Sequence, residues 1–238
     1  MKKKPLLLVV ILFIYSTTIA QNLSFGVKGG LNFNSIGELY HIGELNGGGL
    51  NVIPYEDTYY QADKEMSFHV GMFAMLRFNK VFIRPEIVYT SLKNSYPLSQ
   101  KTANWTATKI DIPMLVGVNV YKPVSIYAGP VLSRISTMEL EGTEQPIIFK
   151  KTTLGLNAGI LINYRRFGLD LRYEHQGTTV NDQRIDIVRA IYGTNVAYLQ
   201  EYTPSQFIIS IHFNLINFNL EDQRNKAKIN WRSKKCPN

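Results

Sequence analysis

The sequence contains a single cysteine, Cys236, among 238 residues. One cysteine excludes an internal disulfide bond, and Cys236 is far from the N-terminal segment in which a lipoprotein cysteine would lie. After residue 20, no apolar run approaches the ~20 residues that a membrane-spanning helix needs. The sequence therefore predicts neither a disulfide-stapled domain nor a protein that crosses a membrane with helices.

The first twenty residues have the features of a cleaved export signal. Three lysines at 2–4 precede an apolar run at 6–15, and Ala20 provides the small residue typical of a cleavage site before Gln21. The apolar run is too short to span a bilayer as a helix. We therefore predict a signal peptide at 1–20 and an exported mature protein.

The formal charge of +8 is concentrated at the two ends of the chain. Without the three lysines of the signal, 23 basic and 18 acidic residues leave +5. Residues 216–238 hold six basic and two acidic residues, or +4, so the body carries about +1. A basic domain would suggest nucleic-acid binding. This chain is exported and has a nearly neutral body with a basic tail, which does not suggest nucleic-acid binding. No nucleic-acid partner is therefore predicted.

Strand-like segments recur along the chain and are bounded by turn residues. Eight are predicted, most of them reaching the ~9–11 residues of a tilted membrane-spanning strand: 23–34, 66–78, 81–92, 105–120, 124–137, 152–164, 167–177 and 205–215. Connections of two or three residues alternate with long ones at 35–65, 93–104, 138–151 and 178–204. Outer-membrane barrels show this alternation. The predicted fold is all-β, an eight-stranded antiparallel up-and-down transmembrane β-barrel with short periplasmic turns and long external loops.

Each predicted strand alternates between an apolar and a polar face. The polar face is rich in glycine, which suits a narrow lumen where side chains from all strands converge. It also carries nine charged residues: Lys28, Arg77, Arg84, Glu86, Lys109, Asp111, Asp170, Arg172 and Glu174. Because unpaired charges are costly in a dry interior, the sequence predicts a charge network that fills the lumen, with His69 and His212 as further partners.

Some residues do not fit this alternation, and others mark the membrane boundaries. Four apolar residues fall on the polar face: Phe73, Met75, Leu115 and Leu161. Aromatic residues near the strand ends predict two interfacial girdles. One girdle lies toward the short turns (Phe78, Tyr164, Phe167 and Phe213), and one toward the long loops (Phe33, Phe68, Tyr89, Trp105 and Tyr173).

Several short motifs occur in an order that resembles the PorT family of outer-membrane β-barrel proteins from Bacteroidetes-type bacteria. They are GVKGGLN at 26–32, RPEI at 84–87, IDIPML at 110–115, YAGP at 127–130 and LRY at 171–173. The resemblance covers roughly 21–215 and implies an eight-stranded barrel in the cell outer membrane, followed by a basic tail at 216–238. The founding member of the family is tied to a secretion system for surface proteins, and most members have no assigned activity. The tail is a departure, because many such proteins stop at their last strand.

Two kinds of chemical site are not predicted. The glycine-rich stretch FGVKGGLNFN at 25–34 lacks the Gly-Lys-Ser/Thr of a phosphate-binding loop, and no helix is predicted after it. The four histidines have no paired metal-ligand spacing. The sequence therefore predicts no cofactor and no metal.

Two alternatives to a structural role remain open. An outer-membrane enzyme could place Ser91 and His175 at the external rim, provided that nucleophile and base lie within hydrogen-bond reach. The lumen carboxylates could also act as acid–base pairs, but charge pairing explains them fully, and the protein is predicted not to be an enzyme. A secreted carrier barrel for an apolar ligand would instead turn the apolar face inward.

The first and last long loops are rich in tyrosine: Tyr40, Tyr55, Tyr59, Tyr60, Tyr192, Tyr198 and Tyr202. A short helix is predicted at 186–192. Loops on a rigid scaffold often carry binding sites, and tyrosine favours recognition, although packing among the loops is the simpler interpretation. The sequence predicts a monomer in contact with outer-membrane lipid, with a structural or interaction role. A protein partner would bind at the external loops or the basic tail.

Overall fold

The computed structural model of the protein describes residues 22–41, 58–143, 145–192 and 196–219. The predicted signal peptide at 1–20, Tyr55, and the tail from residue 220 onward with Cys236 lie outside these residues. The described chain forms one short helix, α1 (Arg189–Tyr192), and thirteen strands: β1 (Asn22–Ser35), β2 (Leu39–His41), β3 (Thr58–Tyr60), β4 (Asp63–Lys64), β5 (Ser67–Phe78), β6 (Val81–Pro97), β7 (Thr102–Tyr121), β8 (Val124–Leu140), β9 (Thr152–Tyr164), β10 (Phe167–Gln176), β11 (Gln183–Asp186), β12 (Val196–Leu199) and β13 (Ser205–Asn219). No described helix has the length and apolar character needed to cross a membrane.

Eight long strands close into an antiparallel barrel. Each pairs with the next along the chain, in the order β1, β5, β6, β7, β8, β9, β10 and β13. Strand β13 returns to β1 in a register that runs from Asn22 opposite Asn219 to Ser35 opposite Ser205. The predicted eight-stranded up-and-down barrel is confirmed. Strand β13 runs to Asn219, past the predicted limit at 215, because Ile216 and Phe218 continue the pairing with β1.

The outside of the barrel is apolar. Exposed aliphatic side chains occur on seven of the eight strands: Val27, Val70, Met72, Ile87, Ile112, Val116, Ile126, Leu132, Leu154, Leu156, Ile160 and Ile211. On β10 the outward Leu169 is half-buried. Leu76 is an exception, since it shares the outward phase but is buried. A water-soluble monomer rarely exposes a continuous apolar surface. The orientation contradicts a secreted carrier barrel, which would need a polar exterior, and is that of a barrel bathed in lipid.

Aromatic side chains lie near both edges of the apolar surface. Tyr164 and Phe167 are exposed at the turn end, and the rings of Phe167 and Phe213 are 4.8 Å apart. Phe68, Tyr89 and Tyr173 are exposed toward the loop end. Aromatic residues at both edges are the girdles that a membrane barrel requires.

Trp105 does not belong to the loop-end girdle, and that prediction is wrong. Strand β7 begins at Thr102, and its inward phase runs through Ala103, Trp105 and Ala107 to Lys109. The indole is only 3% exposed and packs inside the barrel. The phase was the available signal, because Trp105 alternates in step with Lys109, which was predicted to face the lumen.

The short connections lie together at one end of the barrel. Asn79 and Lys80 join β5 to β6, and Arg165 and Arg166 join β9 to β10. Asn79 has φ of 54° and Arg165 has φ of 53°. Tight hairpin turns require such positive φ angles, and asparagine adopts them more readily than arginine does.

The long connections fold together as a lid over the other end. Four short strands form a second antiparallel sheet in the order β11, β12, β2 and β3, so the first and last long loops pair with each other. Its inner face packs against the tall ends of β6, β7 and β8 in one apolar cluster, here named the lid core: Leu39, Tyr60, Leu92, Tyr96, Leu98, Ala103, Trp105, Ala107, Met138, Leu140, Ile147, Val180, Ile185, Ile187, Tyr192, Ala197 and Leu199. The predicted helix at 186–192 is shortened to α1, because β11 extends to Asp186.

The apolar residues that broke the alternation form a plug inside the turn end of the barrel. Phe73, Met75, Leu115 and Leu161 are buried together with Phe82 and Tyr127. These side chains point inward with the charged residues of the same strands, as their phase in the sequence indicated. The lumen is therefore layered, with an apolar plug, a charged middle and an apolar lid core.

Candidate functional site

Five charged residues lie just above the apolar plug and form the turn-side ion cluster: Lys28, Arg84, Glu86, Asp170 and Arg172. The Lys28 Nζ lies 3.2 Å from Glu86 and 2.9 Å from Asp170. One guanidinium nitrogen of Arg172 bridges the same two carboxylates at 3.0 and 2.8 Å. All five residues are buried. Two cations therefore share two anions, and Lys28 has the paired role that its central place in β1 predicted.

Arg84 is held differently from the other members of this cluster. Its Nε is 2.8 Å from a Glu86 carboxylate oxygen, which is an ion-pair distance. None of its three guanidinium nitrogens has a hydrogen-bond partner among the described residues. The guanidinium instead lies over the Phe73 ring, 4.0 Å from the ring centroid. A desolvated cation over an aromatic face is stabilised by the ring quadrupole, so the plug supports the charged layer above it.

Three further charged residues form the loop-side ion cluster. Lys109 Nζ lies 3.0 Å from Asp111 and 2.6 Å from Glu174. The same Glu174 oxygen accepts hydrogen bonds from the side-chain amides of Gln176 at 2.8 Å and Gln206 at 2.7 Å. One lysine therefore serves two carboxylates, and two neutral amides complete the shell of one of them.

The two clusters balance in charge only when they are taken together. The turn-side ion cluster has three cations and two anions, and the loop-side ion cluster has one cation and two anions. Four positive and four negative groups thus fill the lumen with no formal excess. Such balance is what a dry interior requires of buried ions.

Arg77, predicted to be the ninth member, does not join either cluster. It lies near the end of β5, and its Nε contacts the Met75 sulfur at 3.2 Å. It has no ion pair within 4.0 Å among the described residues. Its inward phase was read correctly, but the plug separates it from the carboxylates. Without Arg77, the five cations and four carboxylates of the prediction become four of each.

Neutral polar groups connect the charged residues to the strands around them. Asn32 donates a hydrogen bond to Gln206 at 3.1 Å and contacts His69 Nδ1, whose Nε2 lies 2.8 Å from Ser210. The Tyr127 hydroxyl contacts Asp170 and accepts a hydrogen bond from Arg172 Nε at 3.0 Å. Sequence reasoning named the charges but missed Asn32, Tyr127 and the two glutamines. Their inward phase was the available signal.

The proposed catalytic pair is not assembled. Ser91 lies on β6 and His175 on β10, and these strands are four places apart in a ring of eight. The two residues are therefore on opposite sides of the barrel, and His175 is exposed on its outer face. Spacing along the chain carried no information about this separation. The four lumen carboxylates are all engaged in ion pairs.

The outer face of the lid sheet carries a row of large polar and aromatic side chains. Register pairing sets Arg184 opposite Tyr198, Tyr198 opposite Tyr40, and Tyr40 opposite Tyr59. The rings of Tyr40 and Tyr59 are 4.8 Å apart. This set of four is named the tyrosine row. Tyr59 is 57% exposed, whereas the next residue, Tyr60, is buried in the lid core as the period of two in a strand requires.

An ion pair ties the lid to the top of β7. Lys101 Nζ donates to Glu141 at 2.8 Å, and the Asn104 side-chain amide donates to the other carboxylate oxygen at 2.8 Å. These hydrogen bonds, that of Lys101 foremost, lower the pKa of Glu141 to about 2. Both side chains of the ion pair are solvent-exposed, so the contact orients the loop and adds little to global stability.

A cavity lies between the lid core and the loop-side ion cluster, and it is named here the upper pocket. It holds about 690 Å³ of space not filled by atoms, including its mouth, and its wall includes Trp105, Met138 and Val180. Lys109 and Glu174 lie at its polar end. No pattern in the sequence predicted this pocket, because the residues of its wall come from separate loops and strand ends.

Comparisons with known proteins found similar solved structures but no matching family. No family model and no curated protein matches it. It is similar to the outer membrane protein OprG of Pseudomonas aeruginosa (TM-score 0.47, 11% identity, 84% of this chain and 97% of that one). It is also similar to Neisserial surface protein A (0.41, 15%, 81% and 99%) and to Ail, the attachment invasion locus protein of Yersinia pestis, in complex with the heparin analogue sucrose octasulfate (0.39, 13%, 83% and 99%). At these scores the assignment rests on the closed ring of eight strands and its apolar exterior, which are those of an outer-membrane β-barrel.

Proposed function

We propose that this protein is a plugged outer-membrane scaffold whose external lid binds a protein partner. The observation that carries the proposal is the tyrosine row. Three tyrosines and one arginine are aligned across four strands of a sheet whose other face is anchored in the lid core. Tyrosine and arginine are enriched where proteins bind each other. Because β-strands hold the row, little entropy would be lost when a partner orders it.

The filled lumen supports the scaffold part of this proposal. Eight strands leave an interior just wide enough for side chains, and here ion pairs and an apolar plug occupy it. We accordingly propose a structural and interaction role rather than passive conduction. That the protein is not an enzyme remains a prediction, supported by the engagement of all four lumen carboxylates in ion pairs.

We also propose that the chain is a PorT-type barrel. The support is the ordered series of motifs from residue 26 to residue 173. In the structure the first of them lies in β1 and carries Lys28, and the second lies in β6 and carries Arg84 and Glu86. The resemblance thus includes residues of the turn-side ion cluster. It carries no assignment of a particular partner.

Site-specific photo-crosslinking in intact cells tests the partner proposal. A benzoylphenylalanine at position 59 should give one adduct of defined mass, and Tyr198→Ser should weaken it by removing another member of the tyrosine row, two strands away. The same photo-crosslinker at position 164 is the matched control, because Tyr164 is also an exposed tyrosine, 68% accessible, but lies at the turn end of the barrel. Identical adducts at 59 and 164, or an adduct at 59 that Tyr198→Ser leaves unchanged, would contradict the proposal.

A further inference from the structure

We propose that the upper pocket binds a small uncharged molecule with an apolar body and one hydroxyl or carbonyl oxygen. The pocket lies below the lid and inside the barrel, so it is distinct from the tyrosine row on the outer face of the lid. Three features support this proposal: the shape of the barrel wall, the lining of the cavity, and two buried polar groups without a hydrogen-bond partner among the described residues.

The barrel wall is much lower on one side than on the other, and this leaves the pocket a mouth. Strands β6, β7 and β8 have 17, 20 and 17 residues, whereas β9 and β10 have 13 and 10. The pairing of β8 with β9 ends at Arg134 opposite Thr152. Above that point Phe149, Lys150 and Thr179 line the pocket, and Lys150 and Thr179 are exposed. A ligand would therefore enter over the low wall.

The wall of the pocket favours an apolar body. Leu92, Trp105, Met138 and Val180 line it and are all buried, and Ile135 and Phe149 are partly buried beside them. Pockets that hold small molecules are concave and lined mainly by apolar side chains, and the upper pocket shares the apolar lining. Burial of apolar surface would supply the main driving force for binding.

Two polar groups in the lining specify an oxygen on the ligand. Asn34 is 3% exposed, and its side-chain oxygen accepts a hydrogen bond from Ser67, while its Nδ2 has no hydrogen-bond partner in the part of the chain that the structure describes. The Tyr202 hydroxyl is also buried and has no hydrogen-bond partner among the described residues. Burial raises the pKa of Tyr202, so the hydroxyl stays neutral and can donate. A ligand oxygen that reaches either donor would accept its hydrogen bond, and a buried unsatisfied group is costly until it is paired.

The charge at the polar end of the pocket selects against an acid. Lys109 is already shared by Asp111 and by Glu174 of the lining, and Lys150, the other lining cation among the described residues, is exposed at the mouth. A carboxylate buried against the apolar wall would lose its hydration and gain no unpaired buried cation. An alcohol, aldehyde or ketone would lose far less.

The fluorescence of Trp105 provides a direct readout of occupancy. The sequence has two tryptophans, and Trp231→Phe leaves Trp105 as the single reporter in the pocket wall. With this protein in lipid nanodiscs, 10-bromo-1-decanol should quench the fluorescence saturably, since bromine quenches indole on contact. The matched acid, 10-bromodecanoate, should bind at least about tenfold more weakly because its charge would be desolvated without a partner.

Tyr202→Phe isolates the polar recognition. Its hydroxyl has no hydrogen-bond partner within the described ranges, so the fold should be unaffected, while the affinity for the bromoalcohol should fall about three- to tenfold. Quenching by 1-bromodecane, which has no oxygen, should not change. Tyr96→Phe is the matched control, because Tyr96 is buried in the same cluster but donates to Gly37 O at 2.6 Å and does not line the pocket.

The outcomes separate cleanly. Saturable quenching that prefers the alcohol and weakens in Tyr202→Phe but not in Tyr96→Phe would establish the site. Quenching that rises linearly with probe in the bilayer, or that is equal for alcohol and acid, would overturn it. Equal losses in Tyr202→Phe and Tyr96→Phe would also overturn it, because they would report a general disturbance of the lid core.

Discussion

Lys28 and Lys109 are both buried lumen lysines, but their removal would leave different surroundings. If Lys28 becomes methionine, its partners Glu86 and Asp170 still have Arg172 at 3.0 and 2.8 Å. If Lys109 becomes methionine, Asp111 and Glu174 have no other cation within 4.0 Å among the described residues. We therefore expect the same substitution to destabilise the barrel far more at position 109 than at position 28.

The magnitude follows from what each substitution leaves unpaired. Removing one partner of a buried ion pair costs about 3–5 kcal/mol because the other charge stays buried. Lys109→Met leaves two such charges, so the expected loss is at the upper end, about 5 kcal/mol. Lys28→Met removes charged hydrogen bonds but leaves both carboxylates with a cation, for which about 1–3 kcal/mol is expected. A difference of about 2 kcal/mol is roughly a thirtyfold change in the folded-to-unfolded ratio.

Urea unfolding of the protein refolded into lipid vesicles measures this difference. Circular dichroism and heat-dependent gel mobility should report the same transition, with an unchanged slope against denaturant concentration. A double variant, Lys109→Met with Glu174→Gln, should recover part of the loss because it removes one orphaned carboxylate. Equal destabilisation by the two lysine variants, or wild-type stability of Lys109→Met, would refute the pairing described for the lumen.

Two further predictions concern the packing of the lumen and the lid. Gly159→Ala should destabilise the barrel by about 1–3 kcal/mol, since a methyl group there would clash with the Tyr127 hydroxyl and the Leu171 backbone oxygen. The control is Gly29→Ala, whose methyl group would face outward with its nearest atom at 3.4 Å, and it should be nearly neutral in the same urea assay. Lys101→Met should raise the pKa of Glu141 from about 2 toward its ordinary 4.5. Because the pKa of Glu141 is lower in the folded state, its ion pair with Lys101 stabilises the lid above pH 4.5, and this stabilisation is lost as the pH falls toward 2. NMR titration of the Glu141 carboxyl measures the pKa, and a pKa that is unchanged in Lys101→Met would contradict the hydrogen bond.

The barrel could be predicted because its signal is periodic and local. A strand with a buried and a lipid-facing side must alternate, so residues such as Val70 and Met72 could be assigned to lipid from sequence alone. The alternation of short and long connections then fixed the up-and-down order. Strand ends were less accurate: β6 runs to Pro97 rather than 92, because its last residues are polar and become a strand only through pairing with β7.

The arrangement within the lumen was only partly predictable. Phase places Arg77 and Arg84 on the same inner face, but not at the same height or beside the same partner. Arg84 reaches Glu86 and the Phe73 ring, whereas Arg77 lies beside Met75. Distances between strands that are far apart in the chain depend on the stagger of the whole barrel. That stagger has no local sequence signal.

The lid was beyond sequence reasoning for a related reason. Strands β2, β3, β11 and β12 have three or four residues, shorter than the window in which a period can be recognised. They become strands because β12 pairs with β2, joining the last long loop to the first. The tyrosine-rich composition of both loops was visible, but it could not distinguish the exposed Tyr59 from the buried Tyr60.

The layering of the lumen decides on which side of the membrane this protein can act. The apolar plug fills the turn end of the lumen, and the ion clusters fill its middle. A solute that passed through would have to separate buried ion pairs, which costs several kcal/mol for each pair. The upper pocket and the tyrosine row both lie beyond the loop-side ion cluster, toward the long connections. In outer-membrane barrels the long connections face outward. Any ligand or partner should therefore arrive from outside the cell, and the lumen should serve to hold the lid in one shape rather than to pass material through.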